Sequence, residues 1–457
     1  MGRRVLALLT VLAASPALAT DELPPLVVHG SPLDLLSEDP VLAPHGGAVD
    51  ATTAEGSALG VMERHLPLGF SDYGGPGALS QVQGFNRSAS ETAVEAMGVP
   101  LQLPQGVGFD FSSFPSFLWD SYEYQPGLGS LAADPRATGA VVTLNPWTEA
   151  RLEKGEIALE ARQLISSDDL SQSSVGVSDG KAWAALAGMS AGHARGPSGA
   201  LAFRHSWGQD ALTAQLLATG ITSDSPGPDD FPTPRATNQV TRWTPVLRWD
   251  RASSGQALKV SAYVDDADSL YDNPDTTPSE FRVHTTQEGL QGGWTDGTWR
   301  LGTHLRRISY RTDSFTAPDE WQLMAHAGRT ALWGPWTLDA ALEAGAVSRF
   351  GVEPAGSVGV RWMPPEVPGW ALVLRGRGTR RVPTLSDRYF DDAFFDPNPA
   401  LKPERVAAGW LGVEATQGAL RPSISVQVQS YEDAWNTVPS GGSAVTVINA
   451  GNALGTT

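Results

Sequence analysis

Cysteine is absent from the 457 residues, which removes a disulfide framework, a thiolate metal site and a cysteine nucleophile together. Histidine is sparse, and none of the eight takes a metal spacing such as H-E-x-x-H. Basic residues are outnumbered, with 32 Lys and Arg against 50 Asp and Glu, giving a net charge of −18. A phosphate backbone would be repelled, so nucleic acid is excluded as a partner class. Beyond the N-terminus there is no run of eighteen apolar residues, which excludes a helical membrane bundle. Strands are not excluded, because they cross a bilayer with an alternating pattern that averages out of any hydropathy window.

The chain begins with a basic pair, Arg3 and Arg4, an apolar run over 5–14, and then Ala17 and Ala19 before Thr20. This is a secretory signal with an A-x-A cut, so residues 1–19 direct export across the inner membrane. In the next segment, 20–50, Leu26, Val27, Val28, His29 and Gly30 follow two prolines. Prolines hold such a β-prone stretch extended, a form suited to strand addition on a partner's sheet. A short helix is expected at 58–65 and a Gly/Pro turn cluster at 70–77.

Residues 82–146 read as short β-type runs broken by glycines. One unit joins 93–97 to Gly98, Val99 and Pro100. Another runs from Tyr122, Glu123 and Tyr124 into Gly127 and Ser130, and the last is Gly139 through Pro146. In order and spacing this resembles the plug of the TonB-dependent outer-membrane receptors, with Gln83 and Met97 departing from the family's usual arginine and aspartate. The resemblance implies that residues 26–30 are a TonB box, that 51–147 is an α+β plug domain, and that its apex, with Gln102, Gln105 and Asp110, contacts the ligand.

From residue 148 onward the chain becomes strand after strand. Residues 423–429 and 370–377 alternate apolar and polar, a pattern shared by soluble sheets and barrel walls. Connections separate the two. Tight turns are expected at 179–181, 207–210, 251–256, 295–298, 333–336, 364–369 and 417–420, taking turns with longer links at 221–240, 266–281, 382–403 and 432–443. That parity belongs to an up-and-down barrel with short turns on one side and long loops on the other. Of the 15 tryptophans only Trp119 and Trp147 precede residue 150, while Trp207, Trp294, Trp299, Trp333 and Trp336 flank tight turns, as an interfacial girdle would. Pro245 inside a strand runs against this assignment.

A second resemblance to the same receptors lies in Arg381, Pro383, Thr384, Leu385 and Tyr389, followed by Asn398, Pro399, Leu401, Lys402, Pro403 and Glu404. Glu404 is expected to meet Lys402 or Arg405. Residues 447–451 resemble the turn that follows in the family. Roughly 16 strands are present where plugged transporters have 22, so the expectation is a transmembrane antiparallel barrel, 148–457, incomplete by about six strands; a closed 16-strand barrel is the other possibility.

Gly188, Ser190 and Gly192 match the hydrolase G-x-S-x-G, but Gly196, Pro197 and Gly199 forbid the helix that must follow. Asp265, Asp266, Asp268 and Asp272 cluster in one expected outer loop, where calcium is a possible ligand, although a solvated acidic surface is the plainer reading. No other cofactor and no catalytic residue is expected. The sequence thus points to a receptor in the outer membrane of a Gram-negative bacterium, taking up a scarce ligand such as a ferric siderophore or cobalamin with TonB as its energy source. The competing readings are a secreted β-rich hydrolase or carbohydrate-binding protein, and a passive porin.

Overall fold

The computed structural model describes residues 47–50, 62, 69–72, 80–83, 91–101, 109–111, 118–126, 140–146, 157–165, 171–179, 181–190, 194–225, 233–276, 279–313, 315–391, 395–415, 423–441 and 444–456. The signal cut at Ala17, Ala19 and Thr20, the segment Leu26, Val27, Val28, His29 and Gly30, and all of the helix expected at 58–65 except Met62 lie outside them. So do Gly127, Ser130, Gly139, Gln102 and Gln105.

The front of the chain contributes β1 (Gly47–Asp50), β2 (Gly69–Asp72), β3 (Ser80–Gln83), β4 (Thr92–Ala96), β5 (Val99–Pro100), β6 (Trp119–Pro126) and β7 (Ala140–Pro146). Strands β2 and β3 form a separate hairpin, so residues 70–72 of the expected turn cluster are strand. The other five make one mixed sheet in the order β1-β6-β7-β4-β5, with β4 and β7 parallel. One face is fully buried: Val94, Ala96, Val99, Tyr122, Tyr124, Val142 and Leu144 share it and are all at most 2 % exposed, whereas Glu123, Thr143 and Asn145 put polar groups on the other face.

The rest is a single antiparallel sheet of sixteen strands. It runs through β8 (Ile157–Ile165), β9 (Ser171–Asp179), β10 (Ala182–Ser190), β11 (Ala194–Trp207), β12 (Asp210–Asp224), β13 (Thr237–Ser253), β14 (Gln256–Asp272) and β15 (Glu280–Thr295). It continues with β16 (Trp299–Thr312), β17 (Glu320–Trp333), β18 (Trp336–Val347), β19 (Gly351–Trp362), β20 (Trp370–Arg381), β21 (Glu404–Ala415) and β22 (Ser423–Glu432). A hairpin of β23 (Trp435–Gly441) and β24 (Ala444–Asn449) then intervenes before β25 (Ala453–Thr456) pairs with β22. Every wall strand up to β22 pairs with its neighbour in sequence, the meander expected of an up-and-down barrel. Among the described residues no ladder joins β8 to β25.

Burial decides which face meets lipid, a point that alternation alone left open. On β22, Ile424, Val426 and Val428 are exposed at 80, 57 and 43 %, whereas Gln427 and Gln429 are buried. The same inversion recurs in β17, where Leu323 is 48 % exposed beside buried Gln322. An apolar outside over a polar inside is the reverse of a water-soluble sheet and fits a wall in hydrocarbon. Among the described residues no helix is long and apolar enough to cross a membrane.

Among the described residues the tight turns expected at 179–181, 207–210, 251–256, 295–298, 333–336 and 364–369 fall where expected and lie at one end of the wall, while 417–420 lies outside the described residues. Asp296, in the turn after β15, accepts from the Trp299 and Thr298 N–H groups at 2.7 and 2.9 Å, which hold its carboxyl below the usual carboxylate range. Beside these turns, Trp207, Trp299, Trp333, Trp336 and Trp370 project outward. Trp336 stacks on Trp362 at 5.5 Å, and Arg329 lies over Trp299 at 5.0 Å.

The long links are shorter than expected because strands continue into them. Residues 221–224 and 237–240 belong to β12 and β13, 266–272 to β14, and 435–441 to β23. Polar residues at these strand ends look like loop in sequence, yet they still pair. Pro245 also finds a place: the β13–β14 ladder skips residues 244–245 and resumes in the same register, so the missing N–H falls where no bond is made.

Candidate functional site

The β4–β5 hairpin turns through Met97 and Gly98, both with positive φ (55° and 78°). Two left-handed residues in succession suit Asn-Gly or Asp-Gly. Met97 accepts a backbone cost here while its side chain, 5 % exposed, joins the apolar core. That core is shared between the two units, since Ala187, Ala200, Leu217, Val246 and Tyr263 of the wall pack with Val94, Val99, Leu101 and Tyr122 of the front sheet. The front sheet is therefore a plug inside the curve of the wall.

Past the turn, the hairpin carbonyls are received by the wall. Gln291 Nε2 donates to Gly98 O at 2.6 Å, Gln287 Nε2 to Pro100 O at 3.4 Å and Arg242 Nη1 to Leu101 O at 2.7 Å. Asp265 holds Arg242 in place with a two-pronged pair, both contacts at 2.6 Å, and accepts from Thr244 at 2.8 Å and Gln287 at 3.2 Å. Such planar, bidentate pairing fixes the guanidinium's direction. Gly98 and Pro100, singled out in the sequence, thus form the latch point of the plug.

Asp265 corrects the expected acidic loop. Residues 265, 266, 268 and 272 lie on β14, and alternation sends them apart. Asp265 is 0 % exposed and faces the plug. Asp266 and Asp268 face outward, Asp266 accepting from Trp243 Nε1 and Thr286 and Asp268 pairing with Arg282; Asp272 ends the strand on that outward face. Among the described residues no group of three or more such side chains could hold a metal ion.

Tyr263, beside the latch, packs across Gly289, its cross-strand partner, and its hydroxyl lies 2.9 Å from His304 Nε2. A Cβ at Gly289 would meet the Tyr263 ring at 2.3 Å. Gly289→Ala is therefore expected to expel the ring and lower stability by about 1–3 kcal/mol, read as a lower denaturant midpoint; an unchanged midpoint would count against this packing.

From the latch, a buried chain of side chains leads outward. Arg306 Nη1 donates to Gln287 at 3.4 Å and its Nε to Gln322 at 3.1 Å, Gln322 donates to Glu320 at 2.6 Å, and Glu320 pairs with Arg388. Arg388 sits on α1 (Leu385–Tyr389), a single helical turn started by a capping box between Thr384 and Asp387. The residues that resemble the receptor motif thus build the outer end of this chain.

The other motif residues assemble beside it. Asn398 Nδ2 donates to Val447 O at 2.9 Å, and Lys402 N to Asn449 Oδ1 at 3.0 Å. Trp435 Nε1 donates to Lys402 O at 2.8 Å. The link after β20 and the β23–β24 hairpin therefore form one outer platform. Glu404 does not meet Lys402 or Arg405: it faces inward to Arg381 (3.7 Å) and the Trp435 N–H (3.0 Å), while Arg405 faces outward. Arg381 also reaches Glu91 of the plug at 3.5 Å.

Asp110 is half-buried. Ser190 is the last, exposed residue of β10, and strand β11 follows from Ala194, so the strand-to-helix turn that a hydrolase serine needs is not formed. Arg242, Gln287 and Gln291 were missed in the sequence. Their signal was parity, because each shares the inward positions of its strand.

No protein-family model matches the chain, and no curated protein does. Solved structures do. The FrpB iron transporter from Neisseria meningitidis aligns with a TM-score of 0.70 at 13 % identity, covering 90 % of this chain and 76 % of that one. The copper transporter OprC gives 0.73 at 13 %, covering 91 and 76 %. The Serratia marcescens hemophore receptor HasR, solved with its hemophore HasA and heme, gives 0.72 at 11 %, covering 92 and 78 %. The fold is that of the TonB-dependent receptors, a plugged transmembrane barrel wall.

Proposed function

We propose that this chain is a TonB-dependent receptor of the outer membrane, drawing a scarce small molecule inward by moving its plug. The observation that supports this reading best is the latch, in which three wall side chains hold the carbonyls of Gly98, Pro100 and Leu101. A passive pore needs no hairpin seated by a buried ion pair, whereas a gated one needs a stopper held by a few breakable bonds. The outer membrane has no nucleotide supply, so the work comes through residues 26–30, which TonB grips by strand addition. Capture outside and release inside then belong to two plug states of one protein. The fold relatives are an iron transporter, a copper transporter and a hemophore receptor, which favours a metal-bearing ligand such as a ferric siderophore or cobalamin.

Deleting residues 26–30 is the direct test. The deleted protein should still reach the outer membrane but no longer retain the purified periplasmic domain of TonB, and growth on ferric siderophores or on cobalamin as separate supplies should fall to that of a null strain. Growth equal to wild type on whichever supply the intact protein supports would establish a passive pore instead.

A further inference from the structure

A hollow on the outward face of the wall, at the loop end of β19–β22, is used by nothing described so far. The β19–β20 ladder runs only between Gly356–Trp362 and Leu372–Gly378. Above it the two strands part, and a cavity of about 910 Å³ opens, lined by Gly356, Gly378, Ala407, Arg380, Arg405 and Glu353 among others. Lower on the same outward rows come large apolar side chains, Val358, Leu374 and Leu411, each more than half exposed. The rows of β20 and β21 therefore read, from mid-wall to rim, as large apolar, then small, then charged.

The charged end is a pair of arginines placed directly opposite one another across β20 and β21. Like charges in that position repel. Glu353 lies 2.6 Å from Arg380 and 3.9 Å from Arg405, and Glu432, also lining the hollow, pairs with Arg405 at 3.3 Å. Arg380 is 5 % exposed, lies over the Phe350 ring, and has an Nε with no hydrogen-bond partner. A buried guanidinium N–H left unmade is costly, and an anionic oxygen is what satisfies it.

We propose that this hollow binds a phosphorylated lipid of the outer leaflet, its phosphate between Arg380 and Arg405 and an acyl chain laid over Gly356, Gly378 and Ala407. Lipid is the class that fits because the anion site stands at the rim of a lipid-facing apolar surface and opens onto a trough floored by the small residues Gly356, Gly378 and Ala407. A free phosphate would have no use for the trough. Glu353 is then the phosphate's competitor for Arg380, and Glu432 with Glu353 its competitors for Arg405.

The test uses the full chain in a neutral detergent, titrated with dioctanoyl phosphatidic acid, inorganic phosphate or dioctanoylglycerol. Phosphatidic acid should bind, and the other two should bind at least tenfold more weakly. Arg380→Gln with Arg405→Gln should weaken it tenfold or more. Gly378→Leu should do the same, the position sharing the outward row of Leu374 and a Cβ there meeting nothing within 4 Å. Glu353→Gln should tighten binding severalfold, an effect opposite to that of a damaged fold. Inorganic phosphate binding as tightly as the lipid, or an affinity indifferent to Gly378→Leu and to the arginine pair, would overturn the proposal.

Discussion

Arg242→Ala should unseat the plug. The substitution removes the donor to Leu101 O and leaves Asp265, 0 % exposed, without its cation. Breaking a buried pair from one side costs about 3–5 kcal/mol, because the remaining charge has neither water nor partner. The loss should appear first in the plug, and Trp119, 1 % exposed in β6, reports on it: with fluorine-labelled tryptophan, its own resonance should shift at a lower denaturant concentration than the β-sheet signal of the wall. Replacing both members with apolar residues, Arg242→Met with Asp265→Leu, should recover part of the loss, since an ion pair exchanged for packed apolar groups is often neutral. If the single variant unfolds with wild-type midpoints by both signals, the latch does not hold the plug.

The second large effect concerns motion. With no cysteine in the chain, Glu91→Cys with Arg381→Cys places the sole two thiols on plug and wall at a contact now 3.5 Å across. Bridging them with a short bis-maleimide should leave ligand binding at the outer face intact and reduce uptake to background. A reducible linker should restore uptake on cleavage, which separates locking from damage. Uptake that continues through the bridge would mean that this side of the plug stays in place during transport, and the energised reading would lose its mechanical basis.

What could be read from the residues divides by the distance over which the information acts. Local signals served well: Gly98 before Val99 and Pro100 gave the hairpin, and Trp333 and Trp336 bracketed a turn that forms. Alternation in 423–429 gave a strand but could not say that Ile424 meets lipid and Gln427 does not; burial settled it. The latch was illegible because Gln291 and Gly98 are 193 residues apart, and nothing in a polar strand residue announces its partner. Asp265 was misplaced for a related reason. A run of aspartates reads as loop, yet within a strand each neighbour changes face, so one became the anchor of Arg242 and the next a surface group.

The length of the wall strands has a consequence for how a ligand first meets the protein. Strands β13 and β14 are 17 residues each, which at about 3.3 Å per residue and a tilt near 40° gives roughly 43 Å of height against an apolar band about 25 Å tall. With tight turns at one end, most of the excess, roughly 15 Å, stands as a collar on the loop side. Salt screens surface charge over about 8 Å under physiological conditions. The headgroups fill roughly 5–8 Å of that collar, so an anionic cargo at its mouth stands about one screening length above them, where their repulsion has fallen to roughly a third and the field of the protein gains the larger say in its approach.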